Sequence, residues 1–247
     1  MKFIQYILVS IGISLYAQDP NNLLTNNFNP SLLSNFDTTL FYSSLNIIEH
    51  EIGLHEKQIG SIFNLNNRTF QSSIIQYGYK SYTETKLTLA TTQQISKLFN
   101  AGVSINYQHL YIAESPNFKA MSFDIGMGLQ KEEFECYLFL ENPLNASYLE
   151  NDIESKITIS PVYYWNENLK SQLNVHQSLH VGLSLSHRLS YKYQNLAQLD
   201  IIQGIKPFTY GFNLGFRKDK LQLLSQYYKS TYTKTASILI IYTVGNE

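Results

Sequence analysis

The sequence predicts an all-β fold, a closed antiparallel transmembrane β-barrel of about fourteen strands. Three observations carry that prediction. The first is unbroken alternation. From Met121 to Gln130, Met121, Phe123, Ile125, Met127 and Leu129 point one way, and Ser122, Asp124, Gly126, Gly128 and Gln130 point the other. The apolar face suits lipid and the small, polar face suits a lumen. The second is recurrence: the two-residue period returns down most of the chain, and no useful length shows helical periodicity. The third is an export signal ahead of it all.

That signal is Met1-Lys2 followed by an apolar run from Phe3 to Leu15. The run is too short for a membrane-spanning helix, which needs about 20 apolar residues. Cleavage is expected after Ala17, within Leu15-Tyr16-Ala17-Gln18, and no cysteine follows to take a lipid anchor. The expected organisation is therefore a signal peptide over 1–17, an irregular lead-in over 18–36 and a barrel over 37–247. The lead-in, rich in Asn, Leu and Pro from Asp19 to Phe36, lacks alternation and reads as a short plug-like segment.

The strands follow in order. Thr38 to Ile48 and Gln58 to Leu65 come first, closed by an Asn66-Asn67 turn, and Thr69 to Tyr79 follows. Glu84 to Ile95 ends at a Ser96-Lys97 turn, and Asn100 to Ile112 sets Ala101, Val103 and Ile105 against Gly102, Ser104 and Asn106. Ala120 to Gln130 joins Glu133 to Glu141 through a tight Lys131-Glu132 hairpin. A longer loop, Asn142 to Glu154, carries the turn signals Asn142-Pro143 and Asn151-Asp152. Lys156 to Trp165, Leu169 to His176, Leu179 to Leu189, Leu196 to Ile205, Phe208 to Arg217, Lys220 to Lys229 and Lys234 to Val244 complete the set, with Lys218-Asp219 as a two-residue turn. The count is even, as single-chain bacterial barrels require. Pro161 removes one ladder donor, so a bulge or a rim position is expected there.

Composition narrows the chemistry. A net charge of −1 argues against a nucleic-acid partner. The single cysteine, Cys136, excludes an intrachain disulfide framework, and its phase with Phe134, Leu138 and Leu140 assigns it to the apolar face. His176 and His180 share a strand face but lie about 13 Å apart, too far for one ion. His187 has the opposite parity, and all three read as polar lumen or rim residues. His50, His55, Glu49, Glu51 and Glu56 read as a solvated patch near the first hairpin. No Gly-x-Ser-x-Gly elbow or comparable nucleophile signature occurs, so no catalytic residue, cofactor or metal is assigned and an enzyme is not expected. Asp124 is expected to be a lumen charge paired with Lys or Arg.

The blocks Ile75-Gln76-Tyr77-Gly78-Tyr79, Asn100 to Tyr107 with Ile112-Ala113-Glu114, and Ser122 to Leu129 followed by Glu141-Asn142-Pro143-Leu144 together resemble the PorV/PorQ-like group of outer-membrane proteins. That group belongs to the wider FadL fatty-acid-transporter superfamily and occurs in bacteria with a type IX secretion apparatus. The resemblance covers roughly Thr69 to Tyr242, and order and spacing carry it more than any one motif. It implies a fourteen-stranded barrel in the bacterial outer membrane. The implied role is an accessory or scaffold in surface protein export, or a passage for small hydrophobic solutes. Relatives open with a Gly/Ala-rich segment that enters the lumen and ends near Asn-Pro-Ala; this chain departs from that pattern, with a short region whose only remnant is Asn29-Pro30-Ser31, which argues against a hatch-gated route. Gly245-Asn246-Glu247 departs from the usual terminal aromatic, with Tyr242 slightly upstream.

The candidate lumen-facing polar residues are Ser104, Asn106, Gln108, Ser122, Asp124 and Gln130. Candidate loop contacts are Glu114, Asn117, Lys119, Asn151 and Asp152. The expected partners are outer-membrane lipid and secretion-machinery or cargo proteins. The competing reading is a soluble exported β-sheet protein, with apolar faces packed as a sandwich, that binds a ligand or a surface partner.

Overall fold

Alternating segments become a wall with two faces, and here the wall closes on itself. The computed structural model describes residues 28–49, 54–65, 68–148, 151–178, 182–194, 196–205, 208–231 and 233–244. Its strands are β1 (Thr39–Glu49), β2 (His55–Leu65), β3 (Arg68–Tyr79), β4 (Tyr82–Gln94), β5 (Phe99–Ile112), β6 (Phe118–Lys131) and β7 (Phe134–Glu141). A small hairpin follows, β8 (Ser147–Tyr148) with β9 (Asn151–Asp152). The rest are β10 (Lys156–Asn166), β11 (Leu169–Ser178), β12 (Gly182–Tyr193), β13 (Ala197–Ile205), β14 (Phe208–Lys218), β15 (Leu221–Ser230) and β16 (Lys234–Val244).

Fourteen of these form one closed antiparallel barrel in which each strand pairs with the next in sequence; β7 pairs with β10 across the hairpin. The ring closes where β1 meets β16, in continuous register from Thr39↔Val244 to Glu49↔Lys234. Closure leaves none of the fourteen barrel strands with an unpaired edge, which hydrocarbon would not tolerate.

The outward face is apolar. Leu89 and Met121 are 66% and 65% exposed, and Leu45, Ile59, Ile74 and Ile105 share their orientation. Phe41, Phe63, Trp165, Tyr193, Phe216 and Tyr242 ring one rim, and Tyr111, Phe208 and Tyr210 stand near the other. The sandwich alternative needs these faces packed against each other; they are not. Outward polar groups satisfy one another: Ser61 bonds Ser72 at 2.9 Å and Ser171 bonds His187 at 2.8 Å. His187 therefore faces outward, a correction to the lumen or rim expectation. Cys136 is half-buried on this face, opposite Leu129 and Pro161.

One rim carries the short connections at 95–98, 132–133, 167–168 and 219–220; we call it the turn rim. The opposite, loop rim carries 113–117 and the long connection 142–155. The observed turns at 132–133 and 219–220 lie one residue later than Lys131-Glu132 and Lys218-Asp219. Asp219 takes φ +51°, a left-handed conformation that Asp tolerates, so the chain reverses there. Pro161 sits inside β10 without a bulge. Pairing with β11 keeps one register through Ile159↔Val175 and Val162↔Gln172, and the shift falls at the rim between Tyr164 and Asn166. Ser160 Oγ donates to Asn174 Oδ1 at 2.8 Å across the interrupted stretch. The signal segment, the Asn66-Asn67 turn, Leu179, His180 and Val181 lie outside the described residues.

Before β1, Pro30–Asn35 forms a 3₁₀ helix inside the barrel. Asn29 caps it by accepting from the Ser31 N–H, and Pro30 supplies a preset φ at its first turn. Leu33 and Phe36 then join Leu40, Tyr42, Ile62, Ala90, Leu224, Leu239 and Ile241 in a buried apolar cluster. Most of its strand members lie near the turn rim of β1, β2, β4, β15 and β16, so this part of the lumen is floored by hydrocarbon.

Candidate functional site

The lumen is divided by the plug formed from residues 28–36. The plug lies against the β3–β6 wall, and two glycines make that seat. A Cβ on Gly102 would stand 2.7 Å from the Pro30 carbonyl, and one on Gly126 would stand 2.7 Å from the Ser31 nitrogen. Only hydrogen fits at such close backbone approach. Polar side chains then fasten the plug. Asn100 Nδ2 donates to Ser34 Oγ at 2.7 Å, Gln130 Nε2 to Asn35 Oδ1 at 2.6 Å, and Asn64 Nδ2 to the Phe36 carbonyl at 3.0 Å. Asn35 also donates to Tyr137 Oη at 3.2 Å.

All six candidate lumen residues lie on the inner face. Five form two bonded groups on the facing strands β5 and β6. Ser104 Oγ and Asn106 Nδ2 donate to Asp124 Oδ2 at 2.8 and 2.7 Å, and Gln108 Nε2 donates to Ser122 Oγ at 3.3 Å. Gln130 stands apart and holds the plug. Asp124 Oδ1 accepts the Asn142 backbone N–H at 3.1 Å. Its direct partners are thus hydroxyl, amide and backbone donors rather than the expected Lys or Arg, although Lys86 lines the same cavity.

Asn142 was legible only as a turn residue; the structure makes it the organiser of the long loop. At φ +45°, its side chain donates to the Ala146 and Ile153 carbonyls at 3.1 and 2.8 Å and accepts from the Ala146 N–H at 2.8 Å. Of the candidate loop contacts, Glu114 (φ +65°) and Asn117 are exposed in the β5–β6 connection. Lys119 belongs to β6 instead, paired with His109, because the strand begins at Phe118. Asn151 and Asp152 form β9, and their side chains lie outside the described residues.

Beside the plug, a cavity of about 560 Å³ follows the β10–β12 wall. Tyr164 and Lys170 line it near the turn rim, Lys156, His176 and Thr235 near the loop rim. Its volume falls within the usual range for small-molecule sites, about 300–1,000 Å³. Phe28, Leu32, Phe139, Val162 and Ile202 give it an apolar strip. A second cavity of about 310 Å³ opens under the long loop, lined by Glu56, Tyr77, Glu84, Lys86, Asp124 and Glu141 among others.

Glu56 corrects the reading of a solvated patch. It is the second residue of β2, only 2% exposed, and accepts from Asn46 inside the lumen. Glu141 and Lys156 form an ion pair at 3.2 Å, and His176 bonds Thr158 Oγ1 at 2.9 Å. No group of three or more His, Cys, Asp or Glu among the described residues could hold a metal ion. Charge is sorted around the large cavity. Glu56, Glu135 and Glu141 come from β2 and β7, whereas Lys156, Lys170, His176 and Arg188 come from β10–β12. Inward parity combined with strand order is the sequence signal for this sorting, and the six-residue candidate set did not use it.

The chain forms a closed barrel with an apolar exterior, an internal plug and a cavity beside that plug. Solved structures share the barrel fold. A Pseudomonas aeruginosa FadL homologue matches with a TM-score of 0.67 at 10% identity, over 94% of this chain and 95% of that one. The P. putida toluene transporter TodX matches with a TM-score of 0.63 at 9% identity, over 89% and 93%. The monoaromatic hydrocarbon channel CymD gives 0.61 at 8% identity, over 94% of each chain. No family model and no curated protein matches the chain. At these identities the likeness establishes a common fold.

Proposed function

We propose that this protein is an outer-membrane barrel that passes small solutes with an apolar part, along the cavity between the plug and the β10–β12 wall. One observation carries the reading: the plug occupies the β3–β6 side and leaves a cavity whose lining reaches from near the loop rim to near the turn rim. The outward apolar surface supplies the lipid-facing belt that such a protein needs. The named functions of the structural neighbours, a toluene transporter and a monoaromatic hydrocarbon channel, support it by likeness of fold. The apolar strip of Phe139, Val162 and Ile202 gives such a solute something to slide against.

Two measurements test this. The protein should fractionate with the outer membrane and change gel mobility on boiling, as a detergent-resistant barrel does. Cells producing it should also admit a hydrophobic fluorescent dye, normally excluded by lipopolysaccharide, faster than cells lacking it. A soluble, heat-insensitive band would remove the membrane reading; equal dye entry would remove the passage.

A second reading, an accessory to type IX surface export, draws on the long loop. Asn142 ties Ala146 and Ile153 together at the base of the loop and leaves Pro143 and Leu144 exposed. Co-purification of secretion components, lost on deleting 143–153, would favour it over solute passage.

A further inference from the structure

We infer that the outer wall of β2–β6 holds a phosphate-bearing lipid of the outer leaflet, lipid A. Its phosphates meet a row of cationic and polar side chains, and its acyl chains lie on the apolar rows beneath. This rests on the reading of the apolar belt as lipid-facing, and not on the passage.

Register aligns the row. Lys57 pairs with Gln76, Gln76 with Thr85, Thr85 with His109, and His109 with Lys119, so one continuous line of outward side chains crosses five neighbouring strands. Each lies within four residues of the loop-rim end of its strand, and Lys80 adds an ammonium in the 80–81 connection above them. The next outward line toward the turn rim is Ile59, Ile74, Leu87, Tyr107 and Met121. Its four aliphatic members are all exposed.

No acid answers these cations on the same face. Lys57, Lys80 and Lys119 are exposed, and no carboxylate among the described residues pairs with any of them. The carboxylates of β2–β6 are Glu56, Glu84 and Asp124, and all three line the lumen on the other side of the wall. Glu114 stands in the 113–117 connection above. The far wall is different. At the loop-rim ends of β10, β12, β13 and β14 the exposed outward residues are Ile157, Leu183, Ile205 and Phe208.

Charge above and hydrocarbon directly below fit a lipid better than a soluble acidic protein. A protein docking from outside reaches the cations but not the apolar rows within the bilayer; a lipid touches both. The chain enters β1 and leaves β16 at the turn rim, which puts the loop rim at the outer leaflet. That leaflet is built on lipid A, a disaccharide with two phosphates and several acyl chains. Lys57 and Lys119 stand four strand spacings of about 4.8 Å apart, about 19 Å along the wall. Such a span suits two phosphates on a broad headgroup better than the single phosphate of a two-chain phospholipid. Between the lysines, Gln76, Thr85 and His109 offer further donors to phosphate oxygens.

Native mass spectrometry of the purified, heat-modifiable barrel tests this, with bisphosphorylated lipid A, its dephosphorylated form and phosphatidylglycerol as probes. Bisphosphorylated lipid A should be retained in preference to the other two. Combining Lys57→Gln with Lys119→Gln should weaken its binding about thirtyfold, at about fivefold per lysine, whereas Lys57→Arg with Lys119→Arg should keep it. Lys218→Gln, at the turn-rim end of β14, should change nothing. Equal retention of all three lipids, or unchanged affinity in the Gln pair, would overturn the assignment. So would soluble polyglutamate binding at the same lysines in place of lipid A, which would make the face a protein-docking surface. If the heat shift itself is absent, the outer-membrane reading falls and takes this assignment with it; an intact barrel that ignores lipid A leaves that reading standing.

Discussion

Gly126 shows how much rests on a missing side chain. Its place on the small, polar face of the Met121–Gln130 segment was plain from alternation, but alternation says only that it faces inward. The structure adds the reason for smallness: the backbone of Ser31 lies where a Cβ would go. A Gly126→Val substitution should lift the plug from its seat, raise solute entry in liposome swelling several-fold, and leave the heat-modifiable barrel intact. Unchanged entry in a folded variant would mean that the plug is not a barrier. Asp124 makes the same point from the polar side. Its inward parity was legible, whereas its bond to the Asn142 N–H joins a barrel strand to a loop and could not be read from either segment alone. Glu56 was misassigned because the polar run from Glu49 to Gln58 hides where β2 begins; pairing with β1 from His55 onward brings it inside.

At the scale of elements, strands were readable because a period of two repeats four or more times in each barrel strand, and Lys234–Val244 has the boundaries expected of it. Turns were less readable because one left-handed residue, such as Asp219, moves the reversal by one position without disturbing the alternation on either side. Pro161 is the instructive failure. Proline was expected to mark a bulge in β10 or to sit at its rim, yet the register runs straight through and Ser160 bonds Asn174 in the gap. Replacing Pro161 with Val returns a ladder donor on a residue suited to strands. The expected gain is about 0.5–1.5 kcal/mol, read as a higher urea midpoint for loss of the heat-modifiable band. A lower midpoint would show that proline is favoured there for a reason other than pairing. The plug was anticipated as a lead-in, and Asn29-Pro30-Ser31 marked its place. Its seat on β3–β6, and hence the side on which the passage lies, depends on contacts far apart in sequence.

For the whole molecule, the arrangement of surfaces separates a membrane barrel from a soluble one. Ile105 points outward in the middle of β5, so Ile105→Arg would place a charge against the hydrocarbon midplane. The expected cost is about 2–4 kcal/mol, measured as a reduced heat-modifiable fraction after refolding into lipid. If the fraction is unchanged, the apolar belt does not face lipid. The seam between β1 and β16 carries a consequence in time. Those two strands stand at opposite ends of the strand series, so the wall cannot shut until the last has arrived. Until then two bare strand edges stand open, and any partner that shields them governs the moment at which the cylinder becomes watertight. Assembly of this barrel should therefore wait on its final hairpin, however quickly the earlier hairpins zip together.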